Sequence, residues 1–142
     1  MFKKYLIILF CIFSLVGCDK IKNDVTRMSE QQETDASLLY RGLMYGNLEQ
    51  IKRHTSPVFF AKIEETPEFL NDVKQLIPKS DYLQRDILSI RQDTNLLKLW
   101  EKKLTVTYDY KYDSKRIIYV VVFDGKTKKI IDITLSEAIP NS

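Results

Sequence analysis

The chain has 142 residues, 44% of them hydrophobic and 29% charged, with a formal net charge of +3. These are values of one folded domain, and they exclude a wholly disordered chain, a collagen, a disulfide-dense toxin and a multi-span membrane protein. Four glycines, four prolines and a single histidine leave no Gly-rich phosphate loop and no Pro-rich recognition tract.

Lys3 and Lys4 precede an apolar run from Tyr5 to Val16, and small Gly17 precedes Cys18. A basic end, a short apolar core and a small-residue cleavage point form the layout of a secretory signal peptide. The run is short for a transmembrane helix, which needs about 20 apolar residues, and acidic Asp19 follows at once. Leu15-Val16-Gly17-Cys18 resembles the lipobox of bacterial lipoproteins. The resemblance implies cleavage before Cys18 and a diacylglyceryl thioether on its sulfur, with membrane lipid as the first partner. Asp19 resembles the inner-membrane retention signal of enterobacterial lipoproteins. It favours an inner-membrane surface facing the periplasm, with the outer membrane or a Gram-positive cell surface as alternatives.

Cysteine usage agrees with this reading. Cys11 leaves with residues 1–17 and Cys18 carries lipid, so no thiol remains for a disulfide, for nucleophilic catalysis or for zinc. Loss of Lys3 and Lys4 leaves twenty basic residues against nineteen acidic ones. A charge that small gives no electrostatic reason to expect nucleic acid as a partner.

Residues 18–29 read as the lipidated cysteine and a short polar tether, and residues 30–142 as a single α+β domain. Ser29-Glu30-Gln31-Gln32 fits a helix capping box. Ala36, Leu39, Tyr40, Leu43 and Met44 follow at helical spacing. Gly46-Asn47 ends or interrupts this helix, and Asn47 can cap a next turn with Gln50 at its third position. His54-Thr55-Ser56-Pro57 is a stop, because the residue before a proline avoids helix. Val58, Phe59, Phe60, Ala61 and Ile63 form an apolar patch expected as a short helical turn. Thr66 and Pro67 open a further helix with Phe69, Leu70, Val73, Leu76 and Ile77 on one stripe, and Pro78 closes it.

The period then changes to two. Residues 82–93 read as a strand. Leu104, Val106, Tyr108, Tyr110 and Tyr112 alternate with polar residues in a clear second strand. Asp113-Ser114 makes a turn. Ile117 to Phe123 is an unbroken apolar run, expected as a central strand covered on both faces. Asp124-Gly125 is a hairpin signal, and Ile131, Ile133 and Leu135 form one face of a last strand. The fold class is therefore α+β, with N-terminal helices packed on a curved antiparallel sheet of three to four strands.

This order resembles the nuclear transport factor 2-like fold over residues 30–138. The resemblance is carried by the first helix, Gly46-Asn47-Leu48-Glu49-Gln50-Ile51, the Ser56-Pro57 turn before Phe59-Phe60, the second helix and the strands with their Asp124-Gly125 hairpin. It implies a cone of helices against a bent sheet, as in the small lipoproteins of that superfamily. A cystatin-like helix-on-sheet arrangement is the competitor. Enzymes of the superfamily place Asp, His or Tyr inside the cone.

No candidate for chemistry stands out. His54 has no acidic partner at motif spacing and reads as a helix-end residue. Glu64, Glu65 and Glu68 suit a helix start, and no residue pattern suggests a metal site. Lys126, Lys128 and Lys129 read as a solvated hairpin turn that protects a sheet edge, with a lipid-headgroup contact as the alternative. Tyr108, Tyr110, Tyr112 and Tyr119 are the most informative group. They read as core or as a possible binding face, with Tyr108 expected in the core and Tyr112, beside the turn, exposed. The resulting expectation is a lipid-anchored cell-envelope protein with no catalytic residues and no cofactor. Its domain is expected to bind an envelope protein; the alternatives are a small-ligand-binding cone or an enzyme.

Overall fold

Helix formation begins where the sequence first supplies a cap. In the computed structural model, which describes residues 27–98 and 101–139, Ser29 Oγ accepts the Gln32 N–H at 3.2 Å and Gln32 Oε1 accepts the Ser29 N–H at 3.0 Å. The stretches expected as a signal peptide and, up to residue 26, as a tether, with Cys18, fall on residues 1–26, which lie outside the described residues. Met28 is already buried and accepts a hydrogen bond from Tyr108 Oη at 3.2 Å on Sδ. The folded domain thus starts before Ser29, earlier than the expected tether allowed.

Helix α1 (Glu30–Tyr45) buries the stripe Ala36, Leu39, Tyr40, Leu43 and Met44. It ends at Gly46, whose φ of 64° is the left-handed conformation that glycine adopts without a Cβ penalty. Asn47 then caps α2 (Leu48–Arg53), accepting the Gln50 N–H at 3.2 Å. Ser56 caps α3 (Pro57–Glu65) with Pro57 in the first turn. α3 runs for nine residues, longer than the single turn expected, and only Phe59, Phe60 and Ile63 face inward. Val58 and Ala61 face solvent, because they fall outside that stripe on the far side of the helix. Helix α4 (Pro67–Leu76) starts at Thr66 without a side-chain cap and stops at extended Ile77, before Pro78.

Four strands follow: β1 (Gln84–Thr94), β2 (Lys102–Lys111), β3 (Arg116–Asp124) and β4 (Ile130–Glu137). All pairs are antiparallel in the order β1-β2-β3-β4. The molecule is therefore α+β, helices first and a four-stranded antiparallel sheet second. Val106, Tyr108, Tyr110 and Tyr112 share the inner face with Ile117, Tyr119, Val121 and Phe123. The alternating residues of β3, Ile118, Val120 and Val122, are only half-buried. The helices lie on one face alone, so β3 is central without being covered on both sides.

Two details of the last hairpin differ from the expectation. Asp124 and Gly125 do begin the turn, but the loop runs through Lys129, with Lys128 in the left-handed region. Gly125 is needed for space, since a Cβ there would sit 2.5 Å from the Lys102 carbonyl oxygen. In β4 the register shifts between Val122 and Phe123, so Ile130 and Ile133 are buried while Ile131 is only half-buried. A bulge of this kind turns one residue out of the alternation.

Helices and sheet meet through directed contacts as well as apolar packing. Tyr119 Oη donates to the Ala36 carbonyl at 3.1 Å. The Ser56 N–H donates to the Ile130 carbonyl at 2.8 Å, which ties the start of α3 to β4.

Candidate partner-binding groove

The tyrosines read as core or as a possible binding face form the centre of the core, as expected for Tyr108. Tyr108 and Tyr119 are fully buried, and Tyr110 nearly so. Tyr112, expected to be exposed, is only 6% exposed. The cause is α1, which brings Tyr40 down onto the sheet. Tyr40 stacks on Tyr110 with ring centroids 3.8 Å apart, and its hydroxyl shares a 2.8 Å hydrogen bond with the Tyr112 hydroxyl. Proximity to a turn in sequence did not expose Tyr112, because a partner from 72 residues away covers it.

Burial raises the pKa of every one of these phenols, since the phenolate loses its water. Tyr108 is pushed up to about 12, chiefly by desolvation and against the pull of Arg85. Tyr40, Tyr110, Tyr112 and Tyr119 also move up, desolvation being the largest cause in each. These rings are neutral structural groups at ordinary pH.

A groove runs beside this core, between α1 and β1. Glu30, Glu33, Thr34, Ser37 and Leu38 from α1 face Arg85 from β1 across a shallow depression. Arg85 Nη2 donates to Glu33 Oε1 at 2.6 Å, and its guanidinium carbon lies 5.5 Å from the Tyr108 ring centroid. Ser37 and Leu38 carry the groove into a second depression floored by Tyr40 and Tyr110 and edged by Tyr82. Tyr82 meets Tyr110 edge-on at 5.1 Å. Tyr82 and Leu83, just before β1, and Ile87 and Leu88, within it, are exposed, Leu83 at 69%.

β1 is the first strand of an open sheet, and among the described residues no strand pairs with its outer edge. The other edge strand, β4, is packed by α3 and α4. An unpaired strand edge is a template for an added strand. The register shift between Ile87 and Ser89 makes Leu88 a bulge that interrupts the edge midway. The segment from Gln84 to Ile87 therefore offers the cleanest stretch for pairing, next to the apolar residues.

His54 does have an acidic partner, contrary to the reading from spacing. Its Nδ1 lies 2.8 Å from Asp35 Oδ1, and both side chains are mostly buried. The pair joins α1 to the end of α2. Nineteen residues separate the two, too far for a local motif to reveal them. The outer sheet face holds a second pair missed in the sequence. Arg116 reaches buried Asp109 with two nitrogens, one at 3.2 Å, while Lys111 holds the neighbouring Asp86 at 2.9 Å. Alternation placed Asp109 on the outer face, and it is buried there, paired with Arg116.

Glu64, Glu65 and Glu68 are exposed around the α3–α4 junction. Lys126, Lys128 and Lys129 are exposed in the β3–β4 loop. Among the described residues, no group of three or more His, Cys, Asp or Glu side chains is arranged to hold a metal ion. Nor is any helix among them long and apolar enough to cross a membrane. No protein-family model matches this chain, and no curated protein matches its sequence.

Proposed function

We propose that this chain is a lipid-anchored cell-envelope protein whose folded domain is a non-catalytic protein-interaction module, with the α1–β1 groove as its binding surface. The anchor reading rests on Lys3 and Lys4, the apolar run and Leu15-Val16-Gly17-Cys18. Two or three acyl chains on one cysteine hold a protein stably at a bilayer. Helices before an antiparallel meander support a nuclear transport factor 2-like domain.

One observation carries the interaction reading. Mutually stacked and hydrogen-bonded tyrosines fill the space between helix and sheet, while the edge of β1 and its apolar neighbours face outward. A small-ligand cone would need that interior space for its ligand. A peptide added along β1 would gain main-chain hydrogen bonds and set alternate side chains against Tyr82 and the groove.

Two measurements test the proposal. Radiolabelled palmitate is expected in the wild-type chain and absent from Cys18→Ser; equal labelling of both overturns the anchor. A photo-crosslinking side chain at Leu88 is expected to capture one discrete envelope protein in native membranes. Leu83→Asp should weaken that capture about tenfold, the loss of one interface contact worth more than 1 kcal/mol. Equal capture from exposed Lys62, on α3, would move the surface away from the groove.

A further inference from the structure

The antiparallel meander sends the β1–β2 and β3–β4 loops to the same end of the sheet. The Gly125 N–H joins them by donating to the Lys102 carbonyl at 2.7 Å. Leu96 and Leu97 stand at this end, 86% and 92% exposed. They are presented on a tied turn, since Asn95 Oδ1 accepts the Leu97 N–H at 3.0 Å and the Asn95 carbonyl accepts the Lys98 N–H at 3.1 Å.

The charge at this end is lopsided. Arg27, the stretch from Arg91 to Lys103 and the loop from Asp124 to Lys129 together hold eight basic side chains against three acidic ones. That surplus of five exceeds the +3 of the whole chain, so the remainder is slightly acidic. Arg27, Lys102, Lys103 and Lys128 line one depression of about 290 Å³ together with Gln92. Gln92 Oε1 is shielded there without a hydrogen-bond partner. Half a turn of that amide would present its N–H₂ to an anion instead.

The direction of the chain supplies the occupant. Arg27, the first described residue, lines this same depression. Nine residue steps separate it from Cys18, a reach of at most about 30 Å even when fully extended. If Cys18 carries lipid, this end is the one held at the bilayer.

We propose that this end is a membrane-docking face. Leu96 and Leu97 enter the boundary between headgroups and acyl chains, and Arg27, Lys102, Lys103 and Lys128 hold anionic lipid phosphates. Apolar burial and attraction to anionic lipid together set the strength of such interfacial contacts. Docking this end leaves the groove beside β1 free along the flank of the domain. The inference rests on the lipid-anchored reading for the membrane it meets.

The test uses the full chain with its own N-terminus, reconstituted into vesicles of phosphatidylcholine alone or mixed with phosphatidylglycerol. Leu97→Trp in a Trp100→Phe background places the only tryptophan at the tip. Lipids brominated in their acyl chains should quench it on phosphatidylglycerol vesicles, and less in high salt. Changing Lys102, Lys103 and Lys128 to Gln should weaken docking by about fivefold for each charge lost. A reporter at Leu83→Trp in the same background should stay unquenched.

Palmitate on Cys18 and flotation report the anchor separately. A lipid-bearing chain whose tip is unquenched keeps the anchor and overturns the docking face. A chain without lipid that still binds phosphatidylglycerol with a quenched tip keeps the docking face and overturns the anchor. Crosslinking of the tip to a protein, with no quenching by lipid, assigns Leu96 and Leu97 to a protein partner and overturns the proposal. A chain that neither carries lipid nor binds vesicles overturns both readings.

Discussion

Tyr112 shows how much a single side chain depends on its distant partners. It flanks the β2–β3 turn, yet Tyr40 covers it and bonds its hydroxyl at 2.8 Å. Truncating a buried aromatic removes both transfer energy and packing. Tyr108→Ala and Tyr112→Ala are therefore each expected to cost about 3–5 kcal/mol. Tyr112→Phe, which keeps the ring and loses only the hydroxyl contact, should cost about 1 kcal/mol. Denaturant melts of the three variants check this. A Tyr112→Ala loss within about 1 kcal/mol would return Tyr112 to the surface. The alternation from Leu104 to Tyr112 marked these residues as sharing one face. It could not identify Tyr40 as the lid, because that contact spans 72 residues.

At the scale of elements, local signals served best where a backbone group needs a partner within three residues. Ser29, Asn47 and Ser56 each cap the helix that follows. Ser29→Ala should cost about 1 kcal/mol of stability, because it leaves a donor of the first turn of α1 unpaired. Thr66→Ala should cost less, since Thr66 makes no side-chain cap bond. Thermal melts of the two variants compare them directly, and an equal loss would contradict the capping argument. Ion pairs between elements followed no such rule. Asp35 and His54 lie on successive helices, and only the turn at Gly46 and Asn47 brings them to 2.8 Å. The bulges at Leu88 and Ile131 were equally hidden, since an apolar residue turned out of register resembles one in register.

The whole molecule should respond to base in a way that no single tyrosine would. A free phenol titrates at its ordinary value of 10.0, whereas Tyr108 is held up to about 12 by burial. The folded state therefore favours the neutral ring. The stability this supplies is complete below pH 10 and is lost as pH rises through about 12. Tyr40, Tyr110, Tyr112 and Tyr119 shift in the same direction from the same cause and share one core. Cooperative unfolding between those two pH values is expected, with tyrosinate absorbance and loss of circular dichroism rising together. Tyrosines that titrate gradually around pH 10 with the fold intact would contradict the buried cluster.

The sequence by itself determined the class of the molecule. Helix caps, glycine and proline stops and the change of period from 3.6 to 2 are local properties of the backbone. They were enough to give helices first and an antiparallel meander second. The same locality gave the signal-like N-terminus and Cys18 as expectations, which lie outside the described residues. The tertiary structure alone decided which faces meet. Covering the inner face of the sheet with α1 turned a candidate tyrosine surface into the core, and it left the flank of β1 and the Leu96–Leu97 tip outside. Such choices depend on contacts between residues tens of positions apart. The energy of those contacts exists only once the chain has folded, so no spacing rule along the sequence encodes them.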